Sequence, residues 1–536
     1  MNLARIISAK EAAELFVDGD IILSEPGGRE GWPDEIGLAL EKRFLETGHP
    51  RDMCFVHGAG VMAGGCLAHE GMLKWDITSH ESTTPPLAKA IEEDKLAAWY
   101  MPLGVMLQMY REQGRGMPGV LTKVGLGTFM DPRFDGGCLN PSARKINEEL
   151  KAQNKEFIKY IPDFEGEEYL YYRGLPYTKA LLRGTISDEN GNVTSENEAF
   201  NLALSIVARA VKRYGGKVIV QVEAVAKAGS LDPKMVKIPR NLVDYIVVAE
   251  YPEKIIHGLA PPGMYKYNYW HGFTGRIKAP LSGIKPMKFG PEKVMLRRAC
   301  MEIERGMICN FGIGLPSYSG SVMSEEGLME QITVVSEIGS VGGVPGGGPD
   351  FGCHLNVEAS VDHCETFDWL DGTGVDVGIF GLPEAQEDGS INTSYLNGVT
   401  LGVGGFANIA AGAKMAIFVG TFTTKGLEET IEDGKLVIKS EGRLKKLVKK
   451  CLQLTFDANL AVKNGKKLMY ITDRCVFIRD ERGMVLTEIA PGVDLQKDIL
   501  EQMEFSPVIP EGGPKLMPAE IFQPVWGNGG LKAIWQ

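Results

Sequence analysis

Five short runs of β-branched and other apolar residues constrain this chain more than any other feature of its 536 residues. They are KVIVQVEAV (217–225), DYIVVAEY (244–251), ITVVSE (332–337), VDVGIFG (375–381) and AKMAIFVGTF (413–422). A strand with one wet face alternates apolar and polar side chains. A strand that is apolar at nearly every position is buried on both faces, as in parallel sheets covered by helices. Longer helical patterns separate these runs, so the class is α/β. LVIKSEG (436–442), KLMYITDRCVFIRDERGMVLTEIAPG (467–492) and the Asp433-Gly434 pair read as hairpins, which adds antiparallel strands to mostly parallel sheets.

A single core does not grow to this length, so two open α/β domains are expected. Between about Arg276 and Lys293 the chain reads RIKAPLSGIKPMKFGPEK, rich in Pro, Gly and Lys and without an apolar period. That segment is taken as a linker (276–293) between an N-terminal domain (1–275) and a C-terminal domain (294–536). Both sides begin alike, with a helix, a short strand and a glycine turn: AAELFVDGDIILSEPGG (12–28) and RRACMEIERGMICNFGIGLP (297–316). The second core reads as a divergent copy of the first.

Acidic residues outnumber basic ones by 69 to 57, a formal net charge of −12, which repels nucleic acid and anionic lipid at long range. The N-terminus lacks a signal-peptide apolar core, and the weakly charged stretch from Gly398 to Phe422 carries too many glycines for a membrane span. Nine cysteines scattered along the chain read as reduced thiols, so a cytoplasmic location is expected.

The chemistry concentrates between Asn310 and Phe406. NFGIGLP (310–316) follows a short apolar run and precedes a helical pattern, the arrangement by which a glycine turn exposes backbone N–H groups. Its Gly312-x-Gly314 lacks the third glycine of a dinucleotide fingerprint, since position 317 is Ser. Glu337 stands where an apolar strand gives way to glycines at 339, 342, 343, 346, 347 and 348. A carboxylate at the carboxyl end of a buried strand lies where ligands bind in open α/β sheets. NGVTLGVGGFANIAAGAK (397–414) supplies a second turn, Gly402-x-Gly404-Gly405, ahead of a helix. A carboxylate nucleophile with backbone donors is what acyl transfer needs.

These segments resemble the family I coenzyme A transferases, in particular the single-chain propionate and acetate members. The likeness runs through both halves, including residues 119–140, 218–249, 311–316, 337–352, 367–385 and 486–495. The resemblance implies that Glu337, which opens E-x-G-x-x-G-G-x-P, is the nucleophile. It further implies that Asn310, Gly312, Ile313 and Gly314 in one turn, and Gly404 and Gly405 in the other, line the CoA thioester and its oxyanion. Backbone N–H groups of Ile313 and of Gly404 or Gly405 are the expected donors. The implied reaction is ping-pong transfer of CoA from an acyl-CoA to a small acid such as acetate, propionate or lactate, through a glutamyl-CoA thioester and without a metal. The family further implies a homo-oligomer, commonly a tetramer.

Where relatives carry G-G-F after the first strand, this chain reads Ser24-Glu25-Pro26-Gly27-Gly28. Gly27, Gly28, His69 and Glu70 are the residues expected to shape the acyl pocket from the first domain. The altered loops leave room for a larger acid, including an aromatic hydroxycinnamate. An acyl-CoA hydrolase on the same fold, and a non-enzymatic protein, are the other readings. Glu189, in TISDENGNVT, imitates a related nucleophile motif but reads as a turn residue. Cys353-His354 and His363-Cys364 match no common zinc spacing and read as core cysteines and surface histidines. GRLKKLVKK (442–450) reads as a solvated helix.

Overall fold

The computed structural model describes residues 4–27, 31–60, 62–251, 270–281, 284, 286–347 and 350–535. Two compact units emerge. The first comprises Met1–Thr274, Val361–Asp368 and Asn397–Asn408; the second comprises Gly275–Ser360, Trp369–Leu396 and Ile409–Gln536. Two short segments from the second half of the chain therefore belong to the first unit.

The first unit is built on eight strands: β1 (Arg5–Ile7), β2 (Ile21–Ser24), β3 (Met53–His57), β4 (Leu73–Thr78), β5 (Ala97–Tyr100), β6 (Lys179–Arg183), β7 (Lys217–Val222) and β8 (Tyr245–Val248). They lie in the order β1-β8-β7-β6-β2-β3-β4-β5, every neighbouring pair parallel. Strands β3 and β6 are buried at every position and β7 at all but its first, as strands of a parallel sheet covered on both faces are. Phe16, Trp32, Leu40, Phe55, Leu181 and Ile219 form part of the core against one face. The first helix, Ala9–Glu14, starts in a capping box: Ser8 accepts the Glu11 N–H and the Glu11 carboxylate accepts the Ser8 N–H.

The second unit carries β9 (Ile308–Phe311), β10 (Thr333–Val334), β11 (Val377–Gly381), β12 (Met415–Val419), β13 (Lys467–Ile471), β14 (Cys475–Asp480), β15 (Gly483–Ile489) and β16 (Lys515–Leu516). Their order is β10-β9-β11-β12-β13-β14-β15-β16. The first five are parallel, and β13-β14-β15 is an antiparallel meander. The two sheets together are the mostly parallel α/β architecture with antiparallel additions that the sequence calls for. At the expected hairpin, Asp433 and Gly434 both have positive φ (49° and 73°), which matches the right-handed twist of the flanking strands.

Two local expectations are corrected. The run 332–337 yields only the two-residue edge strand β10, because Val335 already bridges Val341 and the chain turns back. Residues 442–450 form no helix: Leu444–Lys445 and Leu447–Val448 pair as short strands with Thr423–Thr424 and Ala385–Gln386. Lys446 between them is buried and donates to the Thr421 carbonyl at 2.7 Å. All nine cysteines are buried and none forms a disulfide with another.

Candidate active site

In the second unit, the carboxyl ends of β9 and β10 bring the first glycine turn and Glu337 together. The buried Asn310 side chain on β9 donates from Nδ2 to the Val335 carbonyl at 2.8 Å, tying the two strands beyond their ladder. Its Oδ1 is buried without a hydrogen-bond partner among the described residues. The Gly312 N–H is taken by the Ile379 carbonyl at 2.8 Å. Ile313 projects outward, 62% exposed, and its N–H has no partner among the described residues. Gly314 has φ 82°, and Ser317 closes the turn by donating Oγ–H to the Gly314 carbonyl at 2.7 Å.

Glu337 sits in a tight turn. The Ser336 N–H donates to Ser340 O at 2.8 Å, Gly339 N–H to Ser336 O at 3.1 Å, and Ile338 N–H to Ser336 Oγ at 3.2 Å. The glycine run after it is dictated by packing: a Cβ on Gly343 would lie 2.3 Å from the Leu355 carbonyl, and one on Gly347 2.8 Å from the Tyr318 ring. Glu337 is half-buried and lines a cavity of about 10 Å³ with Phe311, Ser317, Pro345, Phe351 and His354. His354 Nδ1 is 2.8 Å from the Gly342 carbonyl, so Nδ1 carries the proton and Nε2 the lone pair. Burial pushes its pKa down to about 4, so the ring beside Glu337 is neutral.

In the first unit, the carboxyl edge of the sheet is crowded with ionisable groups. Glu25 follows β2, is buried, and lies 3.4 Å from the equally buried His363 Nδ1; burial raises its pKa. His57 ends β3, with Nε2 3.1 Å from Asp76 and 3.0 Å from Glu81, all three fully buried. Burial disfavours the charged ring, but the two carboxylates outweigh it and raise the His57 pKa to about 10. Gly27 is buried where a Cβ would meet the Phe200 ring at 2.8 Å, while Gly28 lies outside the described residues. The Gly402–Phe406 turn is also part of this unit. There the Gly404 N–H is engaged by the Ser79 carbonyl at 3.0 Å, whereas the Gly405 N–H has no partner among the described residues.

A profile described as Coenzyme A transferase matches residues 6–249. The caffeate CoA-transferase of Acetobacterium woodii is 42% identical over 98% of both chains. This chain belongs to the coenzyme A transferases. The transferase is also 35% identical to the acetate CoA-transferase YdiF of Escherichia coli K12, over 96% of this chain and 95% of that one. Its fold matches the crystal structure of the Escherichia coli O157:H7 acyl-CoA transferase YdiF in a thioester complex with CoA, with a TM-score of 0.87 and 32% identity. That match covers 98% of the transferase and 97% of the YdiF chain.

Some expected site residues fall elsewhere in the transferase. His69 and Glu70 precede β4, so they stand at the amino end of the sheet, opposite the edge where His57 and Glu25 gather. His69 pairs with Glu41 at 2.7 Å and stacks on Phe44, and Glu70 is exposed beside Lys95. His354 and His363 are not surface residues: their relative exposures are 2% and 0%. Glu189 lies in a turn closed by Asp188, as its sequence suggests, and accepts the Ala228 N–H. The residues that sequence reasoning missed are Glu25, His57, Asp76, His80 and Glu81. For Glu25, His57, His80 and Glu81 the signal was a polar residue ending or following a short apolar strand, in LSE, FVHG and ITSHE, whereas Asp76 lies inside β4. Such residues at the carboxyl ends of parallel strands converge on one edge.

Proposed function

We propose that the transferase moves CoA between carboxylic acids by a ping-pong reaction through a thioester on Glu337. The observation that carries this is the placement of Glu337: a half-buried carboxylate at the carboxyl end of a parallel sheet, tethered through Val335 to the strand whose turn presents the Ile313 N–H. In this reading the Glu337 carboxylate attacks the acyl-CoA carbonyl and expels CoA thiolate, leaving a mixed anhydride. The thiolate then attacks the glutamyl carbonyl and releases the first acid as carboxylate. A second acid runs the steps in reverse, so no net oxidant, reductant or water is consumed. A developing oxyanion needs donors fixed in advance, and loss of one typically costs about 3–4 kcal/mol of barrier. The Ile313 N–H, without a partner among the described residues, is the donor proposed in the second unit.

For the acid, the 42% relative named for caffeate favours a hydroxycinnamate-type substrate over the acetate of the 35% relative. A screen running from acetate, propionate and lactate to hydroxycinnamates decides this. A hydrolase would release free thiol without any acceptor acid. We also propose a homo-oligomer, a tetramer by analogy with the family, which light scattering tests.

The central experiment is incubation with acyl-CoA followed by peptide mass analysis. The expected result is a CoA adduct on Glu337, inactivation of that adduct by borohydride, and loss of activity on the order of 10³-fold or more in Glu337→Ala. Near-normal turnover in Glu337→Ala rejects the reading.

A further inference from the structure

Beyond β4 the chain continues through Ser79, His80 and Glu81 at the carboxyl edge of the first unit's sheet. The Gly402–Phe406 turn is seated on this segment by its backbone. Val403 and Gly404 donate their N–H groups to the Ser79 carbonyl at 2.8 and 3.0 Å, His80 pairs with Gly402 in an antiparallel bridge, and Ser82 donates to Leu401 O at 3.2 Å. Gly402 has φ 123°, and a Cβ there would lie 2.0 Å from His80 Cβ and 2.4 Å from its Cα. The glycine at 402 is therefore required by His80. At Gly404 a Cβ would come 3.9 Å from His80 Nδ1, so the imidazole borders the turn directly.

The ring is oriented from behind. Ser79 Oγ is 3.2 Å from His80 Nδ1. With the hydroxyl donating, Nδ1 is the acceptor and the ring proton resides on Nε2. Nε2 has no partner among the described residues, and the side chain is half-buried, unlike the fully enclosed His57. Burial, and then the positive charge on His57, push the His80 pKa down to about 4. The ring is thus a neutral donor across the physiological range. An uncharged N–H holds a carboxylate oxygen, and the carbonyl oxygen that group becomes in a thioester, without the full ion pair that would retain the free acid.

We infer that His80 is an acid-binding residue of the transferase, its Nε2–H donating to the carboxyl oxygen of the acid received at the Gly404–Gly405 turn. The inference rests on the proposed CoA transfer and adds a residue that the glycine motifs do not contain. No proton is transferred; the donor keeps its hydrogen throughout.

Steady-state kinetics of His80→Leu and His80→Gln, varying acid and acyl-CoA separately, test it. Removing a hydrogen bond to a charged group predicts a rise of roughly 10- to 100-fold in KM for the acid in His80→Leu, with a much smaller change in KM for acyl-CoA. The Gln amide retains a donor and is expected to recover most of the loss. Should His80→Leu fail to fold, His80→Asn, whose amide stops short, must show the same acid-specific rise. An unchanged acid KM overturns the inference, as does equal loss in the Leu and Gln variants with a lowered melting temperature. The Glu337 adduct is measured on wild-type protein from the same preparations. A wild type without adduct rejects the parent reaction, whereas adduct formation with an acid KM indifferent to residue 80 rejects His80 alone.

Discussion

His57 occupies a fully buried position between two carboxylates, and its linkage to folding has a definite sign. Its pKa is about 10 in the folded protein against 6.5 for a free side chain, so the folded state holds a proton that the unfolded state gives up. That contribution is complete below about pH 6.5 and is lost as pH rises toward 10. Glu81, whose pKa burial raises from 4.5 to about 7, acts in the same direction between those values, and Glu25, also raised by burial, has the same sign. Lys446 acts in the opposite sense, because burial lowers its pKa to about 8. The expected outcome is a urea midpoint that falls between pH 7 and 10 in wild type and falls less steeply in His57→Gln. Because Lys446 opposes the trend, the comparison decides: a midpoint that falls as steeply in His57→Gln as in wild type would refute the charged state assigned to His57.

The glycine turns show at the level of elements that one residue type is used for two reasons. Gly398 has φ 83° with nothing within 4 Å of where a Cβ would stand, so it is glycine for backbone conformation alone. Gly402 combines φ 123° with the His80 backbone in the space a side chain would take. Gly398→Ala is expected to cost about 1–2 kcal/mol, the ordinary penalty of a left-handed residue. Gly402→Ala should cost more, at least about 3 kcal/mol, because strain and overlap add and the overlapping atoms are backbone. Paired denaturation curves check this, and equal losses in the two variants would show that the turn does not rest on His80 as described. The same elements mark where sequence reading succeeded. Gly314, Gly402 and Gly404 were legible because their φ of 82°, 123° and 51° suits few residues other than glycine, whereas Gly312 stands where a Cβ would lie 3.2 Å from the Ile379 carbonyl.

At the scale of the whole molecule, the first unit is not a contiguous stretch of chain. It contains Val361–Asp368 and Asn397–Asn408, which supply His363 beside Glu25, the Phe367 ring against Gly104, and Asn408 Oδ1 accepting the Gly104 N–H at 3.1 Å. A fragment comprising residues 1–275 would expose that apolar ring site and leave Glu25 and the Ser79 carbonyl without those partners. The expected outcome is that this fragment alone is unfolded or rapidly proteolysed, although it contains all eight strands of its sheet. Circular dichroism and limited proteolysis decide, and a cooperative melt for the isolated fragment would count against the unit as drawn.

Local sequence determined the parts of this transferase whose physics is local. Continuous apolar runs at 217–225, 375–381 and 413–422 produced largely buried parallel strands, an Asp-Gly pair produced a hairpin turn, and glycine clusters produced turns that leave the Ile313 and Gly405 N–H groups without a partner among the described residues. The Glu337 candidate was legible for the same reason, since a carboxylate following an apolar strand is visible in the chain itself. The tertiary structure alone decided which strand ends meet. Glu25, His57, Asp76 and Glu81 are spread over 57 positions and are brought within one sheet edge by crossovers that no periodicity encodes. It also decided the burial of His354 and His363, the strand conformation of 442–450, and the pairing of His80 with Gly402 some 320 residues later. A side chain's propensity reflects its neighbours in sequence, whereas its charge state and exposure are set by neighbours in space.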